Sequence, residues 1–317
     1  MIDGAKTSGA VTRGLFLWLK GQSIADGQGL RQRLNGEYSY HGIAAAYPAA
    51  RVAQTKYTNV PADTFIYNKA GTVDNNWGLD DGVWETYQAG TNSHNGDFTD
   101  EQNWFGHELS LAHRAGAHLS EEVFVIKSAF GGTGLISGGG GSLPGPWNNE
   151  ARQIGVDAYL KRSLRDLRVF RPGVRMRPPI VIWDQGQYEA GIGTTGAAYI
   201  AAFEDMYAYD TKVIESNFVL DRPPVWYLIL SNFAGDANED VINQAKIDIA
   251  ALHTNVRVID GTMYPRNADL TTAEDDPIAK GSPNNSVGLP DNNHLSHIGH
   301  TAIGELIHLD LISIGYY

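Results

Sequence analysis

The hydrophobic residues of this chain fall into short continuous blocks, separated by longer stretches with helical spacing. Six blocks read as strands: Gly14–Leu19, Thr64–Tyr67, Val123–Ser128, Ile180–Trp183, Val225–Leu230 and Val256–Ile259. Each is mostly apolar without strict alternation, the pattern of a parallel strand covered on both faces. Helix-spaced segments lie among them: Gly106–Ala115, Glu150–Leu167, Ala197–Ile214, Asn238–Leu252 and His297–Leu311. In the segment NEDVINQAKIDIAALH, Val241, Ile242, Ala245, Ile249 and Leu252 share one face. Strand and helix in alternation predict an α/β fold, a three-layer α/β/α sandwich around a mostly parallel sheet.

No internal repeat and no clean linker interrupts this order, so residues 1–317 read as one domain. Two polar segments stand apart as long insertions, near 68–103 (rich in Gly, Asn, Asp and Trp) and near 261–290 (rich in Pro, Asn and Asp). Loops of that length in a compact domain are usually functional or mobile. Both leave strand ends, where open α/β sheets bind ligands.

Charge narrows the possible partners. The formal net charge is −12, which argues against nucleic acid and against an anionic membrane surface. No apolar stretch approaches the ~20 residues that span a bilayer. The start, MIDGAKTSGAVTRG, has no apolar segment of signal-peptide type. The absence of cysteine excludes disulfides, thiolate metal sites and a cysteine nucleophile. The compartment and the oligomeric state stay open, with a secreted or periplasmic location preferred.

The chemistry begins where the first strand stops. In GLFLWLKGQSIADGQGL, Ser23 follows the apolar run, with Gly21, Gly27 and Gly29 around it. A serine there lies at the carboxyl edge of the sheet, where its hydroxyl and its backbone N–H face one space. That suits a nucleophile that also supplies one oxyanion donor. Far along the chain, DNNHLSHIG puts Asp291 three residues before His294. A carboxylate at that spacing can hold Nδ1 and leave Nε2 as a general base. Two more strand ends add donors. The run EEVFVIKSAFGGTGL ends in Gly131-Gly132-Thr133, where bare backbone N–H groups can approach an oxygen closely. In IVIWDQGQYEAG, Gln185 offers an uncharged side-chain amide. Each block also has an ordinary reading, as a turn serine, a helix cap or a strand-end turn; the four together are harder to read that way.

In order along the chain, GQSIADG, FGHELSLA, IKSAFGGTGL, WDQGQYE and DNNHLSHIG resemble the blocks of the SGNH/GDSL hydrolase superfamily. The similarity is to its sialate O-acetylesterase-like branch, which includes the acetylxylan esterases of carbohydrate esterase family 6. There the blocks read approximately GQSNMxG, FGPEL, a strand ending in GGTxL, WxQGExD and DxxHL. The resemblance implies a flavodoxin-like sheet and an acyl-serine mechanism, with Ser23 as nucleophile, His294 as base and Asp291 as its orienting acid. The oxyanion donors it implies are the N–H of Ser23, an N–H of Gly131 or Gly132, and the Gln185 amide, with Gly106 as a less favoured glycine. Four positions depart from the pattern: Ile24 and Ala25 stand for Asn-Met, His107 for Pro, Gln187 for Glu and Glu189 for Asp. With Gln187 unable to act as the acid, Asp291 takes that part.

His294, His297 and His300 are spaced three apart, but three-residue steps carry His300 off the face of His294, and zinc sites usually recruit a further ligand. No metal or cofactor is expected. Gln22 beside the nucleophile, and Trp77, Trp84 and Trp104 around the first insertion, are candidates for substrate binding. The indoles suit stacking on sugar rings and equally suit packing beneath a long loop. The expectation is therefore a serine esterase that removes O-acetyl groups from a carbohydrate. The alternatives are a non-catalytic carbohydrate-binding or structural protein on that fold, or a general carboxylesterase.

Overall fold

The computed structural model describes residues 12–21, 29–30, 64–69, 82–86, 104–129, 133–137, 146–231, 238–263 and 297–317. The strand β1 (Arg13–Gly21) shows how the core divides, because its side chains alternate between two buried environments. Leu15, Leu17 and Leu19 enter an aliphatic core, whereas Phe16 and Trp18 enter an aromatic one. A strand buried on both faces needs apolar residues at every position, which is why the sequence shows a continuous run there.

Nine further strands are described: β2 (Gly29–Leu30), β3 (Thr64–Lys69), β4 (Gly82–Thr86), β5 (Trp104–Phe105), β6 (Glu122–Ala129), β7 (Arg175–Met176), β8 (Ile180–Asp184), β9 (Val225–Leu230) and β10 (Val256–Asp260). The main sheet runs β10-β9-β8-β1-β6-β3-β4, with β7 beside the start of β1. Every described pairing in it is parallel except β3 with β4, which is antiparallel. A separate antiparallel pair joins β2 to β5.

Helices cover both faces. Helices α1 (Glu108–Leu119) and α6 (His297–Ser313) close over the aliphatic side through Leu109, Leu111, Ile303 and Ile307. The aromatic side is covered by α2 (Glu150–Phe170), α4 (Gly196–Asn217) and α5 (Glu239–Leu252), while the short α3 (Gln187–Gly191) follows β8. Asn149 caps α2 by accepting from the Ala151 N–H at 2.9 Å, and Thr195 caps α4 through the Ala198 N–H at 3.3 Å. This is the α/β architecture expected from the sequence, a mostly parallel sheet between helical layers.

One expectation needs correcting. It concerns the 68–103 insertion, where β4 adds an antiparallel edge to the sheet and carries one of the indoles expected to bind substrate. Its Trp84 is only 7 % exposed. The indole meets Tyr67 and Phe124 at ring-centroid distances of 5.3 and 5.5 Å and donates its N–H to the Ser163 carbonyl at 2.8 Å. Trp84 is thus a core residue, with no free face for a sugar. Of the other indoles proposed for substrate binding, Trp104 lies on β5 opposite Leu30, and Trp77 lies outside the described residues.

Candidate active site

Three neighbouring strands end on one rung. Gly21, the last residue of β1, is in register with Ala129 of β6 on one side and with Asp184 of β8 on the other. The three strands that Gln22-Ser23, Gly131-Gly132 and Gln185 follow in sequence therefore end at the same level. Gln22, Ser23, Gly131, Gly132, Asp291 and His294 themselves lie outside the described residues.

The last helix is fastened to the same rung by a contact that the sequence does not disclose. His107, just before α1, places Nε2 2.6 Å from the Asp184 carboxylate, and its Nδ1 lies 3.1 Å from Nδ1 of His300 in the first turn of α6. The two imidazoles overlap with centroids 4.7 Å apart, and all three side chains are buried. The hydrogen-bond roles follow from valence. The carboxylate accepts from Nε2 of His107, and of the two facing Nδ1 atoms one donates to the other. Farther along, the Ser110 hydroxyl donates to the Thr301 carbonyl at 2.9 Å, and Arg114 pairs with Glu305 at 2.6 Å.

Gly304 completes this seam. A Cβ at that position would overlap the Ser110 hydroxyl and the His107 carbonyl oxygen, and would come within 2.9 Å of the Leu111 nitrogen. Only glycine allows α1 and α6 to approach so closely.

Gln185 follows β8 directly, as expected, but its side chain turns inward. One amide hydrogen goes to the Glu189 carboxylate and the other toward the Thr133 carbonyl at 3.4 Å, while Oε1 accepts from the Tyr199 hydroxyl at 3.3 Å. The residue is 1 % exposed. This corrects the assignment of its amide as an oxyanion donor, because both hydrogens are committed to protein acceptors. Gln185 instead braces the chain at Thr133. Glu189 does the same from α3, accepting the N–H groups of Leu135 and, at 3.3 Å, Ile136. Burial pushes the Glu189 carboxyl upward, against the pull of Gln185 and these backbone donors.

Two further groups are engaged near this edge. The Gly106 N–H donates to the Glu108 carboxylate at 3.1 Å, and Glu108 in turn pairs with buried Lys127 at 2.6 Å. That leaves Gly106 poorly suited as an oxyanion donor. Gly186, at φ 132°, adopts a backbone that glycine alone takes easily, and a Cβ there would meet Ile242 at 2.8 Å and the Lys246 ammonium at 3.2 Å. Burial lowers Lys246 to about 8, while Asp184 and Glu189 pull it back up. His300, considered above as part of a histidine cluster, spends its Nδ1 on His107.

No protein-family model and no curated protein matches the sequence. Solved structures do share its fold. The protein AT4G34215 from Arabidopsis thaliana superposes with a TM-score of 0.56 at 13% identity, over 95% of this chain and 98% of that one. NanS gives 0.57 at 14% identity, over 97% and 99%. XAC1771, described as a novel carbohydrate acetylesterase from Xanthomonas citri, gives 0.50 at 16% identity, over 95% of this chain and 56% of its own. At these identities the likeness is one of fold.

Proposed function

We propose that this protein is a serine esterase that removes acetyl groups from a carbohydrate. The observation that supports this reading most is the common rung on which β6, β1 and β8 end, the strands that Gly131-Gly132, Ser23 and Gln185 follow in sequence. The histidine clamp ties the start of α6, the helix that follows Asp291 and His294 in sequence, to Asp184 on that rung. The fold shared with a carbohydrate acetylesterase from Xanthomonas citri agrees with it.

In this scheme Ser23 attacks the acetyl carbonyl while His294, held by Asp291, takes its proton. The tetrahedral oxyanion is met by the Ser23 N–H and an N–H of Gly131 or Gly132. His294 then protonates the departing sugar oxygen. Water, deprotonated by the same histidine, cleaves the acyl-serine and frees acetate. Gln185 and Glu189 act one step back, by fixing the turn that presents the glycine donors. No cofactor enters the cycle.

Acetate release from a panel of acetylated glycans tests the reading and identifies the sugar. Ser23→Ala is expected to lower turnover by roughly 10⁴-fold or more while leaving the fold intact. Turnover that persists in this variant would refute the nucleophile assignment. Acetate release from none of the panel, or from small esters, would favour a binding protein on the same fold.

A further inference from the structure

At the opposite end of β1, about 26 Å from the candidate active site at ~3.3 Å per strand residue, lies a cleft of about 90 Å³. Four arginines line it, Arg13, Arg175, Arg177 and Arg222, with Asp221 as its one acidic residue. In a chain of net charge −12 such a concentration of cations is unexpected. Two of the four are satisfied within the protein. Arg177 spends its fork on both carboxylate oxygens of Glu121, each at 2.8 Å. Arg222 lies against the Tyr316 ring, donates to the Tyr316 carbonyl at 3.0 Å, and keeps Asp221 3.8 Å from its Nε.

The other two have no such acceptor. Arg13 and Arg175 are register partners on the parallel strands β1 and β7, so their side chains leave the sheet side by side. Both are exposed, and neither makes a side-chain hydrogen bond or an ion pair among the described residues. Like charges directly opposite on paired strands repel each other, and a shared anion between them removes that cost. Nearby acids do not supply one, since Glu121 is taken by Arg177 and Asp221 leans on Arg222.

We propose that this cleft binds an oxyanion, a carboxylate or phosphate group of a ligand, between Arg13 and Arg175. Guanidinium forks match both groups bidentately, so the shared chemistry is that of a small oxyanion, and its source is what the experiment separates. The site is independent of the esterase reading, because its occupancy is measured without turnover.

The test is calorimetric titration of the full chain at low salt with inorganic phosphate, with digalacturonate as a sugar acid, and with neutral xylobiose. Binding of phosphate, digalacturonate or both, but not of xylobiose, is expected. Affinity should weaken roughly tenfold for each arginine lost in Arg13→Gln and Arg175→Gln, with Lys161→Gln, an exposed lysine of α2 that does not line the cleft, as unchanged control. The preferred ligand names the source. Binding of neither anion, or equal binding by the Arg13→Gln/Arg175→Gln variant, overturns the proposal. Both side chains are exposed, so the variants should fold, and thermal unfolding checks that they do.

Discussion

The two faces of the central sheet solve the same packing problem with different materials. The side under α2, α4 and α5 is aromatic, with Trp18, Trp147, Trp183 and Trp226 fully or almost fully buried. It holds the buried Lys20–Asp210 pair, whose ammonium lies 4.6 Å from the Trp18 ring and 5.5 Å from that of Trp147. The side under α1 and α6 is aliphatic, and there the helices close to glycine contact at Gly304. Bulky rings fill a wide gap between layers. On the aliphatic side the bare Cα of Gly304 lets the two helices approach and be fixed in register. The aliphatic face therefore sets the position of α6, the helix that follows Asp291 and His294, whereas the aromatic face mainly supplies bulk.

The largest expected effect breaks the aromatic face. Asp210→Leu leaves the Lys20 ammonium buried without its partner and is expected to cost about 3–5 kcal/mol, most of it regained on adding Lys20→Met; urea denaturation of the two variants measures both. A loss in the double variant equal to that in the single would mean that the ion pair does not dominate the site.

Next comes the aliphatic face. Gly304→Ala should cost about 1–3 kcal/mol through overpacking and should lower acetate release per folded molecule, because α6 must move away from His107. A stability loss with unchanged turnover would separate the helix seam from function. His107→Ala removes the link between Asp184 and His300 without a new clash. It is expected to lower kcat roughly tenfold with little change in KM, as befits a residue that positions others. His107→Asn, which keeps a donor for Asp184, should recover part of that loss. A change confined to KM, or no difference between the two variants, would contradict the positioning role.

The smallest effect sharpens the comparison at the end of α6. Burial, with His118 and Arg114 adding to it, lowers His308 from 6.5 to about 4. The unfolded chain therefore takes up this proton below pH 6.5 and the folded one only near pH 4, so stability falls as pH drops through that window. His308→Gln should flatten this part of the stability curve, as read by denaturation between pH 4 and 7. An unchanged slope would assign the acid sensitivity to another group.

How much of this was legible in the sequence depends on range. Strands buried on both faces announce themselves as unbroken apolar runs, and all six expected strands are present with ends that differ by no more than two residues. The strand β4 escaped because Val83 and Trp84 are its only apolar residues, in a segment otherwise rich in Gly, Asn and Asp. The strand-end location of Gln185 could be read, but its inward turn could not, since that depends on Glu189, Thr133 and Tyr199 converging from three segments. The histidine clamp joins residues 77 and 193 positions apart, and local periodicity carries no trace of it. His107 showed only as an odd residue where the resembling family has proline.

The most direct test of the esterase account is to treat the intact protein with a fluorophosphonate ester and locate the adduct by mass spectrometry. A single stoichiometric adduct on Ser23, absent in His294→Ala, is the predicted result. Labelling of a different residue, or no label under conditions where acetate is released, would contradict it.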